Sequence, residues 1–149
     1  MKTKAFSLRA ILTVTTGTLL TEGKDPQDNG IGDLYEILGW MSGEEGLMTH
    51  QLPRVGDECK PWLLKWFPEL AVYGMQSNLD SLDKWIKSCR EGHSSEGVKM
   101  WLAEMKMMFP EIKESYDVGK IPAESHKAIN PMEELESMVG KDRIVSVLV

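Results

Sequence analysis

The feature that most constrains this chain is a series of apolar stripes at helical spacing, each closed by glycine or proline. The clearest runs through Val98, Trp101, Leu102, Met105, Met108 and Phe109, opened by Ser94 or Ser95 and terminated by Pro110. Leu34, Ile37, Leu38 and Met41 repeat the pattern behind Asp33 as N-cap and end at Ser42-Gly43. Leu79, Leu82, Ile86 and Cys89 do so between Ser77 and Gly92. Stripes of this kind are buried by facing one another, which predicts helices around a common core.

Cap chemistry adds further helices. Ser7 is an N-cap for a short helix through Leu8, Ile11 and Leu12, with Gly17 as its stop. With Asp57 as N-cap, Cys59, Trp62, Leu63 and Trp66 share one face up to Pro68, and Pro61 falls in the first turn, where a missing amide hydrogen is harmless. Pro53 biases Leu52 toward an extended conformation. Asn130-Pro131 with Glu133 is a helix start and Gly140 its stop. The fourth and fifth helices are close enough in sequence to form an antiparallel hairpin.

Tyr116 to Ile121, Thr18 to Thr21 and the β-branched tail Ile144 to Val149 read as extended. The fold class expected is α+β: a mainly α-helical single domain over 1–149, with five to six helices and a small sheet of two or three short strands including the C-terminal one. Positions 22–32, rich in Gly, Asp and Asn, are expected to form a mobile loop.

The chain carries 23 acidic against 17 basic residues, a net charge of −6, which disfavours direct nucleic-acid binding unless the basic residues cluster. No cluster is evident. Lys84, Lys87 and Arg90 are interleaved with Asp80, Asp83 and Glu91, the pattern of a solvated helix face. An acidic surface suits a basic partner surface instead. The two cysteines, Cys59 and Cys89, fit a reducing compartment. Lys2 and Lys4 before the apolar run Ala5 to Leu20 imitate a signal peptide, but Arg9 interrupts the run and no small-residue cleavage site follows. No stretch reaches the length of a membrane span, so a cytoplasmic protein is expected.

Several phrases occur in an ordered series: Thr13-Val14-Thr15-Thr16-Gly17, Asp33 to Leu38 followed by Met41-Ser42-Gly43, Thr49 to Arg54, Glu58 to Leu64, Tyr116-Asp117-Val118, Ile121-Pro122 and Asp142 to Val145. Over nearly the whole chain this series resembles an uncharacterised bacteriophage and prophage protein family, a domain of unknown function. The resemblance implies a phage accessory gene product and brings no established catalytic residues. Similar sequences often carry an aromatic before the Thr-His pair, where this chain has Met48.

Among candidate sites, the richest polar group is His50, Gln51, Arg54, Asp57, Glu58 and Lys60, flanked by Met48, Cys59 and Trp62. In one reading Arg54 and Lys60 meet the free amides of a helix beginning near Glu58 and hold an anion or nucleotide, with Trp62 or His50 stacking a base. In the other, Asp57 caps the helix and Arg54 pairs with Glu58. Trp62 and Trp101 lie on apolar stripes and are expected in the core, whereas Trp40 and Trp85 lie beside theirs and are expected as partly exposed partner anchors. Cys59 with His50 is the one local nucleophile arrangement, on an apolar face where thiols are inert. Cys89 and His93 with Cys59, His50 or His126 match no compact zinc spacing, so neither metal nor cofactor is expected.

The first functional expectation is a non-enzymatic accessory protein that binds a host or anti-phage defence protein, as an inhibitor of the anti-CRISPR or another counter-defence kind. The alternatives are a nucleotide-type small-molecule binder using the 49–62 segment and, third, a small Cys/His enzyme. Oligomeric state is not legible.

Overall fold

The computed structural model of the chain describes residues 2–20, 31–90 and 94–138. Ser7 closes strand β1 (Lys4–Ser7) and starts helix α1 (Leu8–Thr16), its hydroxyl accepting the Ala10 amide at 3.2 Å. At the other end Gly17 sits at φ 74°, a left-handed conformation that glycine adopts without strain, and its amide closes on Thr13 O. Both expected ends of this helix are therefore found.

Six consecutive residues of α1, Ala10 to Thr15, are buried. The helix is central, packed against α2 (Ile31–Ser42), α3 (Leu52–Trp66) and the 3-10 turn Pro68–Gly74. A buried helix tolerates threonines when their hydroxyls bond the preceding turn. Thr13 Oγ1 donates to Arg9 O at 2.8 Å and Thr16 Oγ1 to Leu12 O at 2.6 Å. Thr13 Oγ1 also accepts the Leu20 amide at 3.0 Å, folding residues 18–20 back onto the helix rather than into a strand.

Helix α2 begins at Ile31, so Asp33 stands in its first turn and not at its N-cap. Ile37, Leu38 and Met41 are fully buried, as the stripe requires, while Leu34 is half-buried. Of the expected 22–32 loop, Ile31 and Gly32 are helical and 22–30 lie outside the described residues.

Helix α3 departs most from the sequence reading. It starts at Leu52, not at Asp57, and Leu52 itself is helical at φ −58°, ψ −43° despite preceding Pro53. The cause is the apolar stripe, which extends back through Leu52 and Val55 to join Cys59 and Leu63, all four buried. Pro53 occupies the first turn, where it is tolerated, and Pro61 lies inside the helix on the solvent side. Asp57 is consequently exposed in mid-helix, and the amides around Glu58 are not a helix end.

Helices α4 (Gln76–Lys87) and α5 (Ser94–Met108) form the expected antiparallel pair: Gly97 approaches Trp85 and Ile86, and farther along Trp101 Nε1 donates to Asn78 O at 2.9 Å. Helix α4 starts one residue before Ser77, behind Met75, with no side-chain cap, and its Asp83–Lys87 pair at 2.8 Å is fully exposed, the solvated face expected. Val98, Trp101 and Met105 of α5 are buried, whereas Met108, expected on the same stripe, is 50% exposed at the helix end.

A Cβ at Gly97 would lie 2.9 Å from Trp85 O and 3.0 Å from Ile86 Cα, both backbone. Gly97→Ala is therefore expected to destabilise the chain by about 1–2 kcal/mol, overpacking outweighing the roughly 1 kcal/mol gain in helix propensity. Urea denaturation checks the sign.

The described sheet has two strands. β2 (Ser115–Val118) pairs antiparallel with β1, Lys4 opposite Val118 and Ser7 opposite Ser115. Phe6 faces Tyr116 on the buried side, and the Tyr116 ring meets Phe67 at 4.7 Å. The extended reading of 116–121 thus finds its strand one residue earlier, and its partner is an N-terminal strand that the helix-like composition concealed. The expected C-terminal strand, 144–149, lies outside the described residues. After β2 the chain is held to α2 by Trp40 Nε1 on Val118 O at 2.8 Å and by Ile121 N on Met41 O at 2.9 Å. It then makes a 3-10 turn at Ala123–Ser125 and enters helix α6, whose described residues are 131–138. Asn130 Oδ1 accepts the Met132 amide at 2.9 Å, the predicted cap. No helix among the described residues is long and apolar enough to cross a membrane.

Candidate functional site

Because α3 begins at Leu52, the polar residues of the 49–60 segment are spread over its first two turns and the 3-10 turn Thr49–Gln51 before it. His50, Gln51, Arg54 and Glu58 all point toward the segment 126–134, about 70 to 80 positions later in the chain. They tie it down bond by bond. His50 Nε2 and Pro131 O are 2.8 Å apart. Gln51 is fully buried, with Oε1 accepting the Met48 amide at 3.0 Å and Nε2 donating to Ile129 O at 3.1 Å and Glu134 Oε2 at 2.8 Å. A buried amide with both ends bonded avoids the desolvation penalty of an orphaned group.

Arg54 uses its planar fork fully. Nε and one terminal nitrogen grip Glu134 at 2.7 and 3.1 Å, and the other terminal nitrogen bonds Glu58 at 3.1 Å and Lys127 O at 2.7 Å. The Glu134 side chain is 9% exposed and that of Glu58 16%. His126 Nδ1 meets Glu58 and Nε2 meets Glu44, both at 2.7 Å, an arrangement fully satisfied when both ring nitrogens carry a hydrogen. A ligand entering at Arg54 would have to displace one of these internal acceptors.

The network shifts the ionisation of Arg54, Glu58 and Glu134. Hydrogen bonds from Arg54, partly opposed by burial, hold the Glu134 carboxyl below its ordinary value, with Gln51 adding to the effect. Burial pushes Glu58 up, but the Lys127 amide, His126 and Arg54 together bring it below the usual carboxylate range. The Glu134 bond raises Arg54 correspondingly. A carboxylate depressed in the folded state stabilises above its unfolded pKa and loses that contribution as pH falls through the lower folded value. The urea midpoint is therefore expected to drop on acidification from roughly pH 4.5 downward. The drop should be shallower in a Glu134→Gln chain, which has one such carboxylate fewer.

The remaining sequence candidates are placed elsewhere. Lys60 is exposed on the outer side of α3. Trp62, expected in the core, is half-buried, with the Lys65 ammonium 4.8 Å above its ring and Trp66 at 6.0 Å. Trp40 is also half-buried; its indole is bonded to Val118 and Lys120 lies 4.8 Å over its face. Trp85 is half-buried and donates to Glu104 across the α4–α5 pair. Cys59 is fully buried, and burial together with the Glu58 charge pushes its thiol up to about 12, so it is held as the neutral SH, which is not the nucleophilic form.

Sequence reasoning missed Glu134 and Glu44, and it weighed His126 only as a zinc ligand; all three complete the network. Nothing near them in sequence distinguishes them from other acidic or imidazole side chains; their signal is the placement of α6 against α3.

Residues 6–72, fewer than half of the 149, match the model of an uncharacterised family described as a domain of unknown function (DUF7736). The match runs from β1 to the 3-10 turn after α3 and includes His50, Gln51, Arg54 and Glu58, but neither the α4–α5 pair nor the segment these residues hold. No curated protein and no solved structure matches the chain.

Proposed function

We propose that this chain is a non-enzymatic accessory protein of phage or prophage kind that acts by binding a host or anti-phage defence protein, as an inhibitor of a defence activity. The phage assignment is supported by the ordered phrases in the sequence. The binding mode is supported by one observation: α5 exposes Met100, Met107 and Met108 to solvent at 50%, 85% and 50%. Met100 and Met107 are seven residues apart and so lie on one helical face. Methionine is flexible and polarisable, and it recurs at protein interfaces. The net charge of −6 complements a basic surface, such as a defence protein's nucleic-acid channel.

The test is co-elution of the purified chain with purified defence effector complexes, followed by the same run with a Met100→Glu, Met107→Glu double variant. The expected result is a stoichiometric complex that the double variant fails to form. Its stability should change by less than about 0.5 kcal/mol, since both side chains are at the surface. A complex formed equally well by the double variant would remove α5 as the contact, and failure to co-elute with any effector tested would count against the reading as a whole.

A further inference from the structure

Lys99, Lys106, Lys113 and Arg9 are scattered over a hundred positions of an acidic chain, yet all four line one cleft of about 430 Å³ between α1, α5 and the connection to β2. The volume is that of a small-molecule site. Its walls are mostly apolar, supplied by Leu8, Leu102, Ile112 and the Tyr73 ring, and Glu114 is the one acidic residue in its lining. Arg9 is held by Leu20 O at 2.7 Å and contributes charge rather than a free donor, and Lys106 pairs with Glu114 at 3.1 Å, a pair that is weak and open to competition because both side chains are more than half exposed.

The second observation is at the wall. Tyr73 is fully buried, and its hydroxyl is the one buried side-chain N or O atom among the described residues without a hydrogen-bond partner. A buried hydroxyl is normally bonded, because leaving it unpaired costs free energy. An apolar cleft with a cationic rim, backed by a buried tyrosine, is complementary to one class of molecule. We infer that this cleft binds a small amphipathic anion, with an aliphatic or aromatic body against Leu102 and Ile112 and a carboxylate, sulfonate or phosphate group among the lysines. The inference goes beyond partner binding and needs no partner to be tested.

The full chain is titrated with 8-anilinonaphthalene-1-sulfonate, followed by fluorescence, and the bound dye is then challenged with decanoate, decylammonium and inorganic phosphate. The expected result is saturation at one site and displacement by decanoate alone. Affinity should fall about tenfold in a Lys106→Glu, Lys113→Glu chain and in Ala103→Phe, which fills the cleft from an exposed helix position. The inference is overturned by absence of saturable binding, by displacement with decylammonium or phosphate, or by parental affinity in both the charge-reversed and the filled variants.

Discussion

An Arg54→Ala chain is expected to lose about 2–3 kcal/mol of stability, somewhat below the range for breaking a fully buried ion pair because the Arg54 side chain keeps 23% of its exposure. The loss is not that of a surface salt bridge. Removing the guanidinium leaves Glu134 with Gln51 as its remaining side-chain donor and takes a donor from Lys127 O. The Glu134 carboxylate is left in a setting that desolvates it, whereas Lys127 O lies at an exposed position where water replaces the lost donor. Arg54→Lys should recover less than half of the loss, because an ammonium cannot reproduce the forked contact with Glu134. Urea denaturation of the three chains measures both numbers, and the damage should concentrate in the segment 126–138, seen as faster amide exchange there than in α4 and α5.

Trp101→Ala is expected to cost about 4 kcal/mol and to leave the chain marginal or unfolded. Trp101 is fully buried at the meeting of α5 with α4 and the 68–74 turn. Its ring stands edge-on to Tyr73 at 5.4 Å and 76°, and its indole nitrogen is bonded to Asn78 O. Truncation removes the ring contact and leaves a cavity that the close α4–α5 backbone approach at Gly97 prevents from collapsing. Trp101→Phe should cost less than half as much, since it keeps most of the volume and loses one hydrogen bond. Thermal melting followed by circular dichroism decides between the two expectations.

Trp101 was legible because period and punctuation agreed: a 3.6-residue stripe, serines before it and proline after it. The same agreement located α1 through Ser7 and Gly17, the end of α2 and the Asn130 cap of α6. It failed where two local signals competed. At α3 the Asp57 cap and the first-turn reading of Pro61 were more conspicuous than a stripe beginning at Leu52, and tertiary burial of Leu52 and Val55 decided the matter. β1 was invisible because four residues carry too little alternation to stand out from the helix that follows, and its pairing with β2 is set more than a hundred positions away.

The polar group was legible as residues and not as a role. His50, Gln51, Arg54 and Glu58 do converge, but the groups they converge on, Glu134, His126 and the 127–131 backbone, are brought there by long-range packing that no spacing encodes. The arginine was foreseen beside Glu58 and its principal partner, Glu134, was not. The cationic cleft was missed for the same reason. Arg9, Lys99, Lys106 and Lys113 are neighbours in space and strangers in sequence.

Arg54 and Glu134 act as one unit that docks the segment 126–138 on α3. A double-mutant cycle with Arg54→Ala, Glu134→Ala and the pair combined, read by urea denaturation at neutral pH, measures this directly. The predicted coupling is about 1.5 kcal/mol or more, with the double variant clearly more stable than the two single losses would sum to. Strictly additive losses would contradict it and return Arg54 to the status of a solvent-facing cation.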